Sequence, residues 1–120
     1  MKIAITSKGR DLDSEIDPRF GRAAYIIVVD TDSLEFEALD NSENVNAFKG
    51  AGIQAAQTVS DHGAEVLLTG HCGPKAFTAL SAAGIRVFTG LQGSVGEALK
   101  SFQENRISEA KGADRDGHWS

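Results

Sequence analysis

At 120 residues, 41% hydrophobic and 24% charged, the chain has the size and composition of one soluble domain, able to bury about two thirds of its unfolded surface. Its formal charge of -5 argues against general nucleic-acid binding, and no apolar run reaches the roughly 20 residues needed to span a membrane. One cysteine excludes an internal disulfide and a four-cysteine zinc site, and a lone thiol suits a reducing compartment, so the expected location is cytoplasmic.

The opening Lys2-Ile-Ala-Ile-Thr6 reads as a strand and lacks the long apolar core of a signal peptide. Residues 25–30 form an apolar, mostly β-branched run that suits a buried second strand. Residues 34–39 begin with alternation after the turn-like Thr31-Asp32-Ser33, which predicts an edge strand with one face exposed. From Gly50 the period becomes helical, with Ile53, Ala56 and Val59 recurring until His62-Gly63. A fourth strand over 66–69 leads through a glycine-rich turn to a helix opened by Pro74, with Phe77, Leu80 and Ala83 on one face. A fifth strand over 85–89 leads through a second such turn to a helix capped by Ser94, with Val95, Ala98, Leu99 and Phe102 on one face. One domain is therefore expected over 1–105. Residues 106–120 read as a polar C-terminal tail, where His118 and Trp119 either fold back over a bound ligand or, the favoured reading, belong to a tag-like or disordered terminus.

This order predicts an α/β fold built on a five-stranded mixed sheet of order 3-2-1-4-5, with helices on both faces. The direction of each strand sorts the loops. Connections 7–24, 40–49, 70–73 and 90–93 share one edge, called here the upper edge, while the lower edge receives short turns. In open α/β sheets ligands bind beyond the carboxyl ends of the parallel strands, which is the upper edge.

The upper edge collects the chemistry. The helices starting at Pro74 and Ser94 are expected to aim free N–H groups and the positive end of a helix dipole at an anion, with Gly70, Gly73, Gly90 and Gly93 permitting close approach. The stretch "DPRFGR" brings Arg19, Phe20, Gly21 and Arg22 to the same edge, and Lys75 and Lys8 add charge. Against these readings, the arginines pair with Asp13, Glu15 or Asp17, and Phe20 is a core residue. "TGHCGPKA" sets Cys72 beside His71. A thiolate favoured by the following helix ligates a soft metal or acts as a nucleophile; the third reading is a small, semi-buried turn residue without chemistry. His71 reads as an independent ligand or hydrogen-bond donor, since adjacent side chains usually point apart. A compact anion with affinity for sulfur or imidazole fits this set.

Taken together, "DPRFGR", "GAGIQAAQ", "LLTGHCGPKAFTAL" and "GIRVFTGLQGSVGEALKSF" resemble the dinitrogenase iron-molybdenum cofactor biosynthesis family over residues 1 to 105. The resemblance implies a ribonuclease H-like fold and a carrier or scaffold, not an enzyme, for an anionic molybdenum-containing metal-sulfide cluster. For a small acidic member it implies a non-covalently held molybdenum-copper sulfide cluster, and for others the iron-molybdenum cofactor or a precursor. The expected cofactor-binding set is Arg19, Phe20, Gly21, Arg22, Gly70, His71, Cys72, Gly73, Pro74, Lys75, Gly90, Gly93 and Ser94, with Cys72 and His71 as candidate metal ligands. Expected partners are the metal-sulfide cluster and a partner ATPase or cofactor-assembly proteins, with no nucleic acid and no membrane. Two rival readings stand: a small enzyme using Cys72 as nucleophile or redox thiol, and a regulatory module that binds a partner through this edge. Nuclease activity is not expected, because strands 2–6 and 66–69 lack carboxylates to hold two metal ions.

Overall fold

A computed structural model describes residues 1–42 and 50–112. The connection over 43–49 and the end of the chain over 113–120, with His118 and Trp119, lie outside the described residues. The elements are β1 (Lys2–Ser7), β2 (Tyr25–Asp30), β3 (Phe36–Asp40), α1 (Ala51–Asp61), β4 (Val66–Leu68), α2 (Pro74–Ala82), β5 (Arg86–Phe88) and α3 (Val95–Gln103). The sheet runs β3-β2-β1-β4-β5, antiparallel across β3-β2-β1 and parallel across β1-β4-β5, as the order of periodicities predicts.

Alternation within the strands loads both faces of the sheet. Ala4, Ile26, Val28, Leu67 and Val87 meet Ala55, Ala56 and Val59 of α1 and Ala76 and Leu80 of α2. On the other face Ile3, Ile5, Ile27, Val29, Val66, Leu68 and Phe88 meet Val95, Ala98 and Leu99 of α3. Phe88 and Phe102 close that side edge-to-face at 5.2 Å. Truncating a fully buried Leu80 in such a packing costs about 2–5 kcal/mol.

The three helices α1, α2 and α3 among the described residues stop by one mechanism. Each ends in a left-handed residue, Gly63, Gly84 or Asn105. The next N–H then reaches back to the last turn: Ala64 to Val59 O, Ile85 to Leu80 O and Arg106 to Ser101 O, at 2.9–3.2 Å. This paired closure satisfies carbonyls that a helix end leaves open.

Three expectations shift. β3 starts at Phe36 because Leu34 sits in the left-handed region, with φ 63, at the hairpin turn. That conformation costs a side-chain-bearing residue roughly 1–2 kcal/mol. Ile53 and Ala83, placed on apolar helix faces by their spacing, are exposed. In α1 the buried stripe is Ala51, Gly52, Ala55, Ala56 and Val59, so the smallest residues define the inner face. The stretch 106–112, read from sequence as tail, follows β5: Ala110 N–H donates to Val87 O at 2.7 Å, Arg86 pairs with Glu109 at 2.8 Å, and Ile107 packs on the second core. Among the described residues no helix is long and apolar enough to cross a membrane.

Candidate functional site

The loop over 8–24 crosses the upper edge in two arms. The first arm lies on α3. Val95 N–H donates to Ser14 O (2.9 Å), Gly96 N–H to Leu12 O (2.8 Å), and Ile16 N–H to Gly93 O (2.9 Å). Ser94 Oγ accepts from Glu97 N–H while a Glu97 carboxylate oxygen accepts from Ser94 N–H, a reciprocal capping box. Of the two open helix N-termini expected from sequence, the one at Ser94 is therefore closed. Its first-turn amides are taken by carbonyls from the far end of the chain and by its own cap. Beside it lies a depression of about 290 Å³ lined by Lys8, Glu15, Ile16, Pro18, Leu91, Gln92 and Gly93. Lys8 is not a loose cation there, because the Glu15 carboxylate bonds its ammonium and raises its pKa above the usual lysine value.

The second arm lies on the turn after β4. His71 N–H donates to Pro18 O at 2.7 Å, Phe20 N–H donates to His71 O at 3.3 Å, and Arg19 and His71 form a parallel bridge. "DPRF" thus runs as a short added strand beside "GHC". Gly70 is required by this crossing, since a Cβ there would lie 2.7 Å from Pro18 Cα and 2.8 Å from Pro18 O. Gly21 is required by another: its Cβ would stand 2.7 Å from Gly52 N at the start of α1. Gly90, with φ 77, turns its N–H to Gly70 O at 2.7 Å and ties the two glycine-rich turns together.

Buried polar groups hold the arms in place. Thr6 Oγ1 donates to Asp17 O at 2.7 Å and lies 2.8 Å from Thr69 Oγ1. A hydroxyl has one proton, so Thr69 is the donor of the second bond. The Asp17 carboxylate, nearly buried, accepts from the N–H groups of Arg19 (3.2 Å) and Ala24 (3.3 Å). Arg19 Nε lies 3.8 Å from it, so one of the ion pairs expected from sequence forms. That side chain is half exposed, and the pair contributes little to stability. Asn41, also buried, donates from Nδ2 to Ala23 O at 2.8 Å and Gly21 O at 3.4 Å. Sequence reasoning missed Asn41 and treated Asp17 only as an ion partner. The signal for Asp17 is an Asx residue opening a Pro-containing turn.

The remaining candidates divide sharply. Phe20 and Cys72 are fully buried in the core with Ala55, Ala56 and Ala76. Cys72 Sγ rests 3.7 Å from Gly73 O, so the thiol is a core group in this arrangement and not an exposed ligand. His71 and Arg22 are half-buried. Gly73 caps α2 in an extended conformation without a side-chain bond, and Pro74 occupies the first helical position. Phe77 N–H returns to Gly73 O at 2.9 Å, whereas the N–H groups of Lys75 and Ala76 meet no acceptor among the described residues. Pro74 and the exposed Lys75 also open an apolar groove of about 450 Å³ that continues past Ile53, Thr78, Ala79 and Ala82. Among the described residues no three His, Cys, Asp or Glu side chains converge to hold a metal ion.

The arrangement defines a class: a mixed-sheet α/β domain whose upper edge presents, at α2, a helix start with amides that meet no acceptor among the described residues, flanked by a cation and apolar surface. The family described as "Dinitrogenase iron-molybdenum cofactor" matches residues 1–105, and the chain belongs to it. In the solved structures it is similar to the apo form of the orange protein of Desulfovibrio gigas, 45% identical, with TM-score 0.93 over 95% of this chain and 96% of that one. It is also similar to a NifB-like protein of Thermotoga, 36% identical, with TM-score 0.83 over 97% and 98%. An uncharacterized protein of Methanocaldococcus jannaschii is 26% identical over 111 residues, 91% of each chain.

Proposed function

We propose that the protein is a carrier or scaffold for a preformed anionic metal-sulfide cluster containing molybdenum, seated at the start of α2. The observation that carries this reading is the contrast between two helix ends on one edge. The amides of α3 are closed by Leu12, Ser14 and Ser94, while those of Lys75 and Ala76 are left without an acceptor among the described residues. N–H groups at a helix start favour an anion. Lys75 stands in the same first turn, where the dipole disfavours a cation unless an anion is bound between them. The backbone of Arg19 is fixed beside His71, one turn away.

The donor set suits a cluster better than a bare ion. A bare copper or zinc ion calls for several convergent sulfur or nitrogen ligands, and the described residues offer none. A sulfide-coated anion needs N–H donors, positive charge and apolar walls, which Lys75, Ala76, Arg19, Pro74 and Ile53 supply. Family membership and the likeness to an orange protein and a NifB-like protein support molybdenum as the metal. Within that class we assign a molybdenum-copper sulfide cluster before the iron-molybdenum cofactor, on the 45% identity to the orange protein. No nucleophile is needed for this role, and the burial of Cys72 speaks against the rival reading of a thiol enzyme.

The test is anaerobic reconstitution with tetrathiomolybdate, with and without a copper(I) salt, followed by metal analysis and a visible spectrum after desalting. Stoichiometric molybdenum, retained with a charge-transfer band, supports the carrier; retention of neither metal overturns it.

A further inference from the structure

The two edges of the sheet are treated differently. The β5 edge is covered: Ala110 N–H pairs with Val87 O, and Glu109 binds Arg86 across the same strap. The β3 edge has no neighbour among the described residues. Hydrogen-bond parity shows which groups it leaves open. Asp30 N–H donates to Glu35 O at 2.9 Å and Asn41 N–H to Ala24 O at 3.0 Å. Both pairs lie on the register that sets Val28 against Glu37 and Ile26 against Leu39. Antiparallel pairs alternate between bonded and non-bonded, so Glu35, Glu37, Leu39 and Asn41 turn their backbone groups toward β2. Phe36, Ala38 and Asp40 turn theirs outward.

The side chains of this edge alternate as well. Phe36 and Ala38 project to the α3 face, where Ala38 packs on the second core and Phe36 is 42% exposed. Leu34, held outward at the hairpin turn by its left-handed backbone, is 58% exposed. On the opposite face Glu35 and Glu37 border an open depression of about 340 Å³, with Val28 and Asp30 on one side and Lys2 and His62 on the other. An exposed edge with unpaired backbone groups is a template for another strand, and acidic charge along it selects against the wrong one.

We infer that the β3 edge is a docking site for an extended strand of a partner protein in which basic and apolar residues alternate, the apolar ones lying beside Phe36 and Ala38 and the basic ones beside Glu35 and Glu37. A second copy of this chain is a poor occupant. In the antiparallel register that sets Phe36 of one copy against Ala38 of another, Glu37 faces Glu37; one neighbouring register sets Glu35 against Glu37, and the other gives the acidic side chains no cation, with Glu37 against Leu39 and Asp40 against Phe36. Like charges directly opposite on a sheet destabilise the pairing. The edge lies away from the start of α2, so a partner held here leaves the cargo site open. The inference stands whether or not a cluster binds there.

The test uses the full chain, isotopically labelled, with the peptide acetyl-Lys-Val-Lys-Val-Lys-Val-amide and its Glu-for-Lys counterpart as probes at low salt. The amide signals of Phe36, Ala38 and Asp40 shift saturably with the lysine peptide, and their exchange with solvent slows by about tenfold or more at saturation. The glutamate peptide leaves them unchanged, and added salt weakens the lysine complex. Ala38→Pro removes an outward N–H without touching the β2 ladder, and it abolishes the shifts at Phe36 and Asp40 while the rest of the spectrum is kept. Glu37→Lys moves the preference toward the glutamate peptide. Unchanged exchange at the three amides with saturating lysine peptide overturns the inference, as do shifts confined to residues 70–76. Concentration-dependent dimerisation that protects these amides without peptide also overturns it, by giving the edge to a second copy.

Discussion

Arg19 and His71 lie side by side in a parallel bridge, joined through Pro18 O and His71 N at 2.7 Å. The first loop is thereby a structural strand of the turn that leads into α2, and the positions of both depend on Gly70. Gly70→Ala brings a Cβ within 2.8 Å of two backbone atoms of Pro18, and backbone does not yield as a side chain does. Expected is a loss of about 1–3 kcal/mol in urea unfolding, as for other overpacked sites, with hydrogen-exchange protection lost at the His71 and Phe20 amides. Unchanged protection at those two amides contradicts the coupling of loop and turn.

Cys72 is enclosed by the first core cluster with Phe20 and Ala76. Cys72→Ala is expected to lower stability by roughly 1–2 kcal/mol, since it deletes a buried sulfur, while leaving molybdenum uptake stoichiometric. In the native protein the thiol reacts with an alkylating reagent only as fast as the chain opens. Prompt alkylation, or loss of uptake in the variant with the fold intact, restores direct ligation by sulfur.

Lys75→Gln and Arg19→Gln each leave the fold unchanged and weaken retention of tetrathiomolybdate by roughly tenfold, the scale of one charged hydrogen bond. Equilibrium dialysis at two salt concentrations reads both the affinity and a shallower salt dependence in each variant. Wild-type affinity in both variants removes the cations from the site.

The capping box of α3 sets a pH dependence. Hydrogen bonds from Ser94 N–H and the Ser94 hydroxyl hold the Glu97 pKa below the usual glutamate value. Asp30 is lowered in the same way by the N–H groups of Asp32 and Ser33, and Asp40 by that of Ser42. A carboxylate whose folded value is depressed stabilises the fold above its unfolded value and loses that contribution as pH falls through the folded one. The denaturation midpoint is therefore expected to drop below about pH 4, and Glu97→Gln to flatten part of that drop. Ser94→Ala costs about 1 kcal/mol at neutral pH.

Much of this architecture was legible in the chain. The β-branched run at Tyr25, the helical spacing after Ser94 and the helix-ending glycines at 63 and 84 each act locally, so periodicity and turn chemistry suffice to read them. The inner face of α1 was misread because Ile53 outweighs alanine on any hydrophobic scale, yet only Ala51, Gly52, Ala55 and Ala56 are small enough for the close approach observed. The satisfaction of the α3 amides was invisible for a different reason. It depends on where Leu12 and Ser14 lie in space, and the loop that carries them has no period of its own. The burial of Cys72 likewise follows from the packing of Phe20 over the turn, which the spacing of "TGHCGPKA" does not express.

The central claim is that an anionic cluster sits at the start of α2 and not at the start of α3. The direct measurement is a titration of the labelled protein with tetrathiomolybdate, followed at the backbone amides. The signals of Lys75 and Ala76 are predicted to move furthest, with Arg19 and His71 close behind, while Val95, Gly96 and Glu97 stay near their starting positions. Movement led by Val95 and Gly96, with Lys75 and Ala76 unmoved at saturation, contradicts the account.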